Sequence, residues 1–314
     1  MNEAIAKYQQ VLDENPDCTV ALYELSMSYY YKGEKTKAME AAYKGSKYKS
    51  DDLPLFYLTM ANVLDDIGKS EEAVKIYVDG IKMLEDDPAM SDHLSSLHFN
   101  LGVTYRKQKK DKEAREEMKK SIVINYKYPS PNYHLSLIFY EGRYKIPAFL
   151  AAARFVSLEF NTERTQRAAA LINQIMGMTA AQDKGDGKIT INLDLGAPTD
   201  EGDFGAAELV LAMVDAIGKS DDAKVKNMTA EEKFADRIDS FIGLLDTKDK
   251  KNINTFSAKA YFPFMQEMKR LGYVKPFAYL VLYHTGNAAA QEWIKNNETK
   301  MREYIGWAKA YKLP

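Results

Sequence analysis

The sequence predicts a mainly all-α protein. Helical hairpins stack as a solenoid over residues 1–181, a turn and strand linker follows over 182–203, and a helical C-terminal domain occupies 204–314. Three observations carry this reading. A small residue recurs through the first half with a period of about 34 residues, the range of solenoid repeats. A leucine, a second small residue and an aromatic recur at fixed offsets before it. After residue 180 the period stops, and one short β-strand segment is marked by strict apolar–polar alternation.

The recurring small residue is Ala4, Ala38, Ala73, Ala114 and Ala148, at separations of 34, 35, 41 and 34 residues. Each lies near the start of the second helix of a hairpin. Upstream, the first-helix pattern is fullest in "LGVTY", with Leu101, Gly102 and Tyr105 and with His98 in an aromatic slot. It recurs as Leu22, Leu25, Ser26 and Tyr29, as Tyr57, Met60, Ala61 and Leu64, and as Leu135, Ser136 and Phe139. A small side chain lets two antiparallel helices approach, while large ones three or four places away fill the seam. Gly33 and Gly68 fall where hairpins turn and supply left-handed caps. The 41-residue spacing holds an insertion at "EDDPAMSD", where Pro88 stops one helix and Ser91 or Asp92 caps the next. In the last repeat "EGRYKIPA" replaces a regular turn and reads as one residue too long.

Period and pattern together resemble tetratricopeptide-repeat proteins over roughly residues 1–180, as about four and a half repeats, with "TERTQRAAALINQIM" as a polar-faced closing helix. The first repeat is incomplete. Its second helix presents Ile5, Tyr8, Val11 and Leu12 as an apolar face whose usual partner helix would precede Met1, so the chain is expected to start inside a longer natural protein.

The resemblance implies that first helices line a concave, peptide-binding face. Counting from each alanine puts Tyr23, Met27, Tyr30 and Tyr31 there, then Leu58, Asn62, Asp65 and Asp66, then Phe99, Val103, Arg106 and Lys107, and finally Tyr133, Leu137 and Tyr140. Tyrosine offers a large contact area with a polar tip at modest entropy cost, which suits peptide capture. Two readings stand for each of these tyrosines, groove contact or solenoid core. Family members that clamp a terminal carboxylate do so with Lys and Asn, whereas Tyr23 and Met27 hold the early slots here, so that activity is not expected. "RKQKKDK" reads as a solvated helix end, with Arg106 and Lys107 available to an acidic peptide.

Charge and composition limit the alternatives. Lys+Arg 43 against Asp+Glu 45 gives a net charge of -2, so neither nucleic acid nor an anionic membrane is an expected partner. Apolar runs such as "FAYLVLY" are far shorter than the roughly 20 residues of a membrane span. The lone Cys18 fits the cytosol or, if an N-terminal signal has been removed, an exported protein.

In the second half Ile189, Ile191, Leu193 and Leu195 alternate with polar residues over the strand 188–195. A lone strand needs an edge, from a short segment of this chain, a second copy or a partner. "DKGDGKI" is not a calcium loop, because Gln182, Lys184 and Leu193 fall on ligand places, and it reads as a glycine turn. Helices are expected at 204–218, after a capping box of Thr229 and Glu232, and around 254–271, 275–284 and 288–310.

No catalytic motif is present. His93, His98, His134 and His284 lack metal-ligand spacing, and there is no nucleophile elbow, phosphate loop or dinucleotide fingerprint. Acidic doublets such as Asp65-Asp66 read as solvated charge. Neither cofactor nor metal is expected. The sequence therefore points to a noncatalytic scaffold for a peptide or protein partner. A self-assembling homo-oligomeric subunit is the alternative, and an enzyme with a site around His284 and Asp183 to Asp186 a third.

Overall fold

A computed structural model describes residues 1–177, 180–182, 189–191, 196–218, 226–245 and 252–313. The chain falls into two compact units, Met1–Asn125 and Tyr126–Pro314.

The first unit is a stack of antiparallel helices: α1 (Asn2–Glu14), α2 (Thr19–Lys32), α3 (Lys35–Gly45), α4 (Leu53–Asp66), α5 (Ser70–Leu84), α6 (Ser91–Lys107) and α7 (Asp111–Ile124). The first helices α2, α4 and α6 form one row, α2 against α4 and α4 against α6, and each also packs on the second helix that follows it. The small residues act as their spacing predicts. Ala38, Ala73 and Ala114, each the fourth residue of its helix, are fully buried. So are Ser26 and Ala61, the facing small residues of α2 and α4. At Gly102 a Cβ would stand 3.2 Å from the Ala114 carbonyl oxygen and 3.1 Å from Met118, so a larger residue would wedge α6 from α7.

Turn chemistry explains where the hairpins fold. Gly33 and Gly68 adopt φ of +84° and +80°, and the next N–H reaches back to the first helix, Glu34 to the Tyr29 carbonyl and Lys69 to that of Leu64. Lys109 takes the same left-handed place at φ +60°, with Lys110 bonded to the Tyr105 carbonyl. A side chain there costs roughly 1–2 kcal/mol that glycine avoids, against about 0.4–1 kcal/mol of extra freedom in the unfolded chain. Lys109→Gly is therefore expected to raise the stability of this unit by about 0.5 to 1 kcal/mol. Urea unfolding followed by circular dichroism checks it, and a lowered midpoint would contradict the strain argument.

Between α5 and α6 the insertion forms a single 3-10 turn, Pro88–Met90, capped by the Asp87 carboxylate on the Ala89 N–H at 2.9 Å. The turn runs directly into α6, leaving Met90 at the cap position, so neither Ser91 nor Asp92 caps that helix.

The second unit begins with one more hairpin, α8 (Pro129–Glu141) and α9 (Lys145–Val156), followed by α10 (Glu163–Gly177). Arg143 is left-handed at φ +68° and the Tyr144 N–H reaches the Phe139 carbonyl. Arg143 thus stands as far before Ala148 as Gly33 does before Ala38, and this hairpin has no extra residue; the glycine of "EGR" lies one place before the left-handed position. The apolar face of α10, including Ala168, Ile172 and Met176, packs on α9 and on α15 (Val274–His284).

Ile189–Ile191 (β2) pairs antiparallel with Ala180–Gln182 (β1), Thr190 opposite Ala181, so a short segment of the chain supplies an edge for the strand. The glycine turn of 183–187 and the strand's expected continuation over 192–195 lie outside the described residues. The remaining helices are α11 (Gly205–Gly218), α12 (Ala230–Leu244), α13 (Phe256–Ala260), α14 (Phe262–Arg270), α16 (Ala288–Asn296) and α17 (Glu298–Ala310). The capping box forms as read: Thr229 Oγ1 accepts from the Glu232 N–H, and a Glu232 carboxylate oxygen accepts from the Thr229 N–H. The expected helix at 254–271 is divided at Tyr261 because Pro263 lacks a backbone donor and enters at the first turn of α14. That at 288–310 is divided at Asn297. Aromatic residues fill the core, Phe264 stacked on Trp307 at 5.0 Å and Tyr261 and Tyr304 fully buried.

Candidate functional site

Twelve of the fifteen expected groove residues stand on the row α2, α4 and α6 of the first unit. Tyr23, Met27, Tyr30, Leu58, Asn62, Phe99, Val103 and Arg106 are half-buried, and Tyr31 is exposed. This is the exposure of side chains that form a wall and still offer a face. The other three, Tyr133, Leu137 and Tyr140, lie on α8 in the second unit. Tyr133 is buried there against Phe155 at 5.0 Å, a core position.

The row is cross-linked by polar side chains. Asp66 accepts from the Tyr30 hydroxyl and from the Lys35 ammonium, both at 2.7 Å, and that ammonium sits 3.5 Å from the Tyr30 ring centre. Asp65 accepts from Lys107 at 2.6 Å and from Ser70 at 2.7 Å. One carboxylate thus ties α4 to α2 and the other ties α4 to α6. The expectation of solvated charge fails for this doublet: the Asp65 side chain is 6% exposed and that of Asp66 33%. Burial pushes the Asp66 carboxyl up, but the bonds from Lys35 and Tyr30 outweigh it and hold it below the usual carboxylate range. The Tyr30 phenol is raised by burial first and by Asp66 second, so it stays a hydrogen-bond donor throughout the physiological range. Deeper in the row, Tyr77 donates to the Asn62 side chain at 2.5 Å, and the Thr59 hydroxyl lies 3.5 Å from the Met27 sulfur.

Lys35, Ser70 and Tyr77 were missed in the sequence reading, although one signal was available. Tyr31, Asp66 and Lys107 occupy the same place in consecutive hairpins, seven residues before the conserved-offset alanines Ala38, Ala73 and Ala114. Aligned, they show an acid and a base at one position of neighbouring helices.

His98 is a packing residue, buried, with Nδ1 2.6 Å from Glu117. Burial pushes the Glu117 carboxyl up, and the hydrogen bonds from His98 and Lys120 more than reverse this, holding it low. His284 is also buried; its Nε2 has no hydrogen-bond partner, and burial lowers its pKa. The acids expected beside it, Asp183 to Asp186, lie outside the described residues. The second unit also holds a cavity of about 220 Å³ beside the start of α11, where Glu208 faces Lys145 at 3.5 Å. Among the described residues no group of three or more His, Cys, Asp or Glu is placed to hold a metal ion, and no helix is long and apolar enough to cross a membrane.

The family model described as "Tetratricopeptide repeat" matches residues 95–128. No curated protein matches. Among solved structures, PilF of Pseudomonas aeruginosa is 19% identical, with 56% of this chain and 85% of that chain covered and a TM-score of 0.46. BtubC of P. vanneervenii is 12% identical, with 55% and 79% covered and a TM-score of 0.46. MamA is 18% identical, with 46% and 80% covered and a TM-score of 0.37. Residues 95–128 thus match a tetratricopeptide repeat, and the hairpins before that segment carry the same buried alanine, small-residue slot and left-handed turn.

Proposed function

We propose that the protein is a noncatalytic interaction scaffold whose row α2, α4 and α6 holds a peptide or a protein helix. The observation that carries this is the half-buried set Tyr23, Met27, Leu58, Phe99 and Val103 standing over a floor whose carboxylates are already bonded. Apolar and aromatic surface on a fixed frame binds at low entropic cost, because little has to be ordered on association. The polar bridges hold neighbouring helices in register, so the groove is formed before a partner arrives. Affinity then rests on a few aromatic anchors rather than on total area. Tyr133 is outside this reading because it is consumed in a core.

The test is a pull-down from the source organism with wild type and a Tyr23→Ala, Phe99→Ala, Val103→Glu variant of matched circular dichroism, together with a photo-crosslinking side chain at position 103. A partner that crosslinks from position 103 and is lost by the variant supports the groove. A partner held equally by both proteins refutes it.

A further inference from the structure

We propose that the turn between α6 and α7 is a docking surface for an acidic segment of a partner protein, held by Lys109, Lys110 and Lys112. The hairpin turns of the first unit differ in how their lysines are paired. Around the turn from α2 to α3, Lys32 and Lys37 pair with Glu34 at 2.5 and 2.7 Å, and Lys35 pairs with Asp66 at 2.7 Å. Around the turn from α4 to α5, Lys69 pairs with Glu72 at 3.1 Å. Around the turn from α6 to α7, Lys107 pairs with Asp65 at 2.6 Å. Lys109, Lys110 and Lys112 are exposed there and, among the described residues, have no carboxylate partner. Lys110 instead lies 5.9 Å from the Tyr105 ring centre.

Backbone conformation sets this turn apart as well. Gly33 and Gly68 hold the left-handed place in the earlier turns, where a side chain would be strained, and Lys109 holds it here at φ +60°. The lysine therefore costs the fold stability that glycine would return. A residue that is unfavourable for folding, and whose charge meets no carboxylate among the described residues, is placed for a contact made outside the chain.

The sign and spacing of the charges select the partner. Ammonium groups at 109, 110 and 112 call for several carboxylates, since a single exposed ion pair contributes little. Asp111 and Glu113 alternate with them, exposed and held in the first turn of α7, where the positive end of the helix dipole favours acids. These two acids repel an unbroken row of phosphates, so a nucleic acid or an anionic bilayer fits poorly. Carboxylates spaced along an extended peptide can meet the lysines and leave gaps opposite the acids. The tip follows the groove helix α6 in the chain, and its binding does not require the groove to be occupied.

The probe is a dye-labelled peptide of alternating Glu and Ser, whose glutamates share one side of an extended chain, titrated with the full chain and read by fluorescence anisotropy. Saturable binding is expected, weakening as salt is raised and weakened about tenfold or more by Lys109→Glu, Lys110→Glu, Lys112→Glu. The same change of charge at Lys44, Lys47 and Lys49 should leave it unchanged, as should the groove variant Tyr23→Ala, Phe99→Ala, Val103→Glu. All of these lysines are exposed, so the fold survives both lysine variants. Lys109→Gly should weaken binding while raising the unfolding midpoint, a combination that a merely structural lysine would not give. The proposal is overturned if the wild-type chain shows no saturable binding, or if the variant at Lys44, Lys47 and Lys49 weakens it as much, which would reduce it to net charge. It is equally overturned if the groove variant abolishes binding, which would place the peptide on α2, α4 and α6. A dye-labelled oligothymidylate, or vesicles of phosphatidylserine and phosphatidylcholine, bound more tightly than the peptide and lost with the variant at Lys109, Lys110 and Lys112, would assign the tip to a polyanion and overturn the acidic partner.

Discussion

Arg154→Ala is expected to destabilise the second unit by about 3–5 kcal/mol, the cost of vacating a buried site and stripping two backbone acceptors. Arg154 lies on α9 with no exposed surface. Its guanidinium donates to the carbonyls of Ala308 at 2.7 Å and Tyr126 at 3.0 Å, and its centre stands 4.1 Å from the Tyr126 ring and 4.8 Å from that of Phe264. Burial lowers its pKa, and the surrounding tyrosines act in the opposite direction. The Ala308 carbonyl belongs to the last turn of α17, the negative end of that helix dipole, so a cation is favoured there without a carboxylate. Arg154→Lys should recover little, because a single ammonium cannot fork to two carbonyls and also lie flat between rings. Arg154→Met keeps the volume and relieves the burial of charge, so it should cost less than alanine, about 2 kcal/mol. Both tryptophans, Trp293 and Trp307, are in this unit, so fluorescence-detected urea unfolding reads it selectively. Equal midpoints for wild type and the alanine variant would show that the guanidinium contributes nothing.

Gly45→Ala is expected to destabilise the first unit by about 1–3 kcal/mol, the range for overpacking a fixed core. Helix propensity alone predicts the opposite sign, a gain of up to about 1 kcal/mol. The difference is Phe56. A Cβ at Gly45, in the last turn of α3, would fall within van der Waals contact of that ring's edge, and Phe56 is fully buried between α3 and its neighbours. The ring cannot move aside without opening the seam with Leu22 and Met60. Thermal unfolding followed by circular dichroism gives the sign directly. A raised midpoint would mean that α3 and α4 separate readily, and the close-packed reading of the hairpin stack would fall with it.

Much of the fold was written locally in the sequence. The alanine period, the small slots at Ser26, Ala61, Gly102 and Ser136, the glycine turns and the Thr229–Glu232 capping box depend on residues a few places apart along one helix or turn, and such patterns survive being read in one dimension. The last hairpin was misread because the eye seeks glycine at a left-handed turn, whereas Arg143 and Lys109 hold that conformation at a tolerable cost.

The roles of individual polar residues were decided elsewhere. Asp65 and Asp66 looked like solvated charge because their partners are 42 and 31 residues away in the chain, and Arg154 gave no signal because Ala308 is 154 residues away. That helices form, where they turn and which side of each is apolar can be read along the chain. Which of those sides are covered, which charges are neutralised and which tyrosines remain available emerges from the folded packing, because hydrogen bonding and burial are properties of neighbours in space and not of neighbours in sequence.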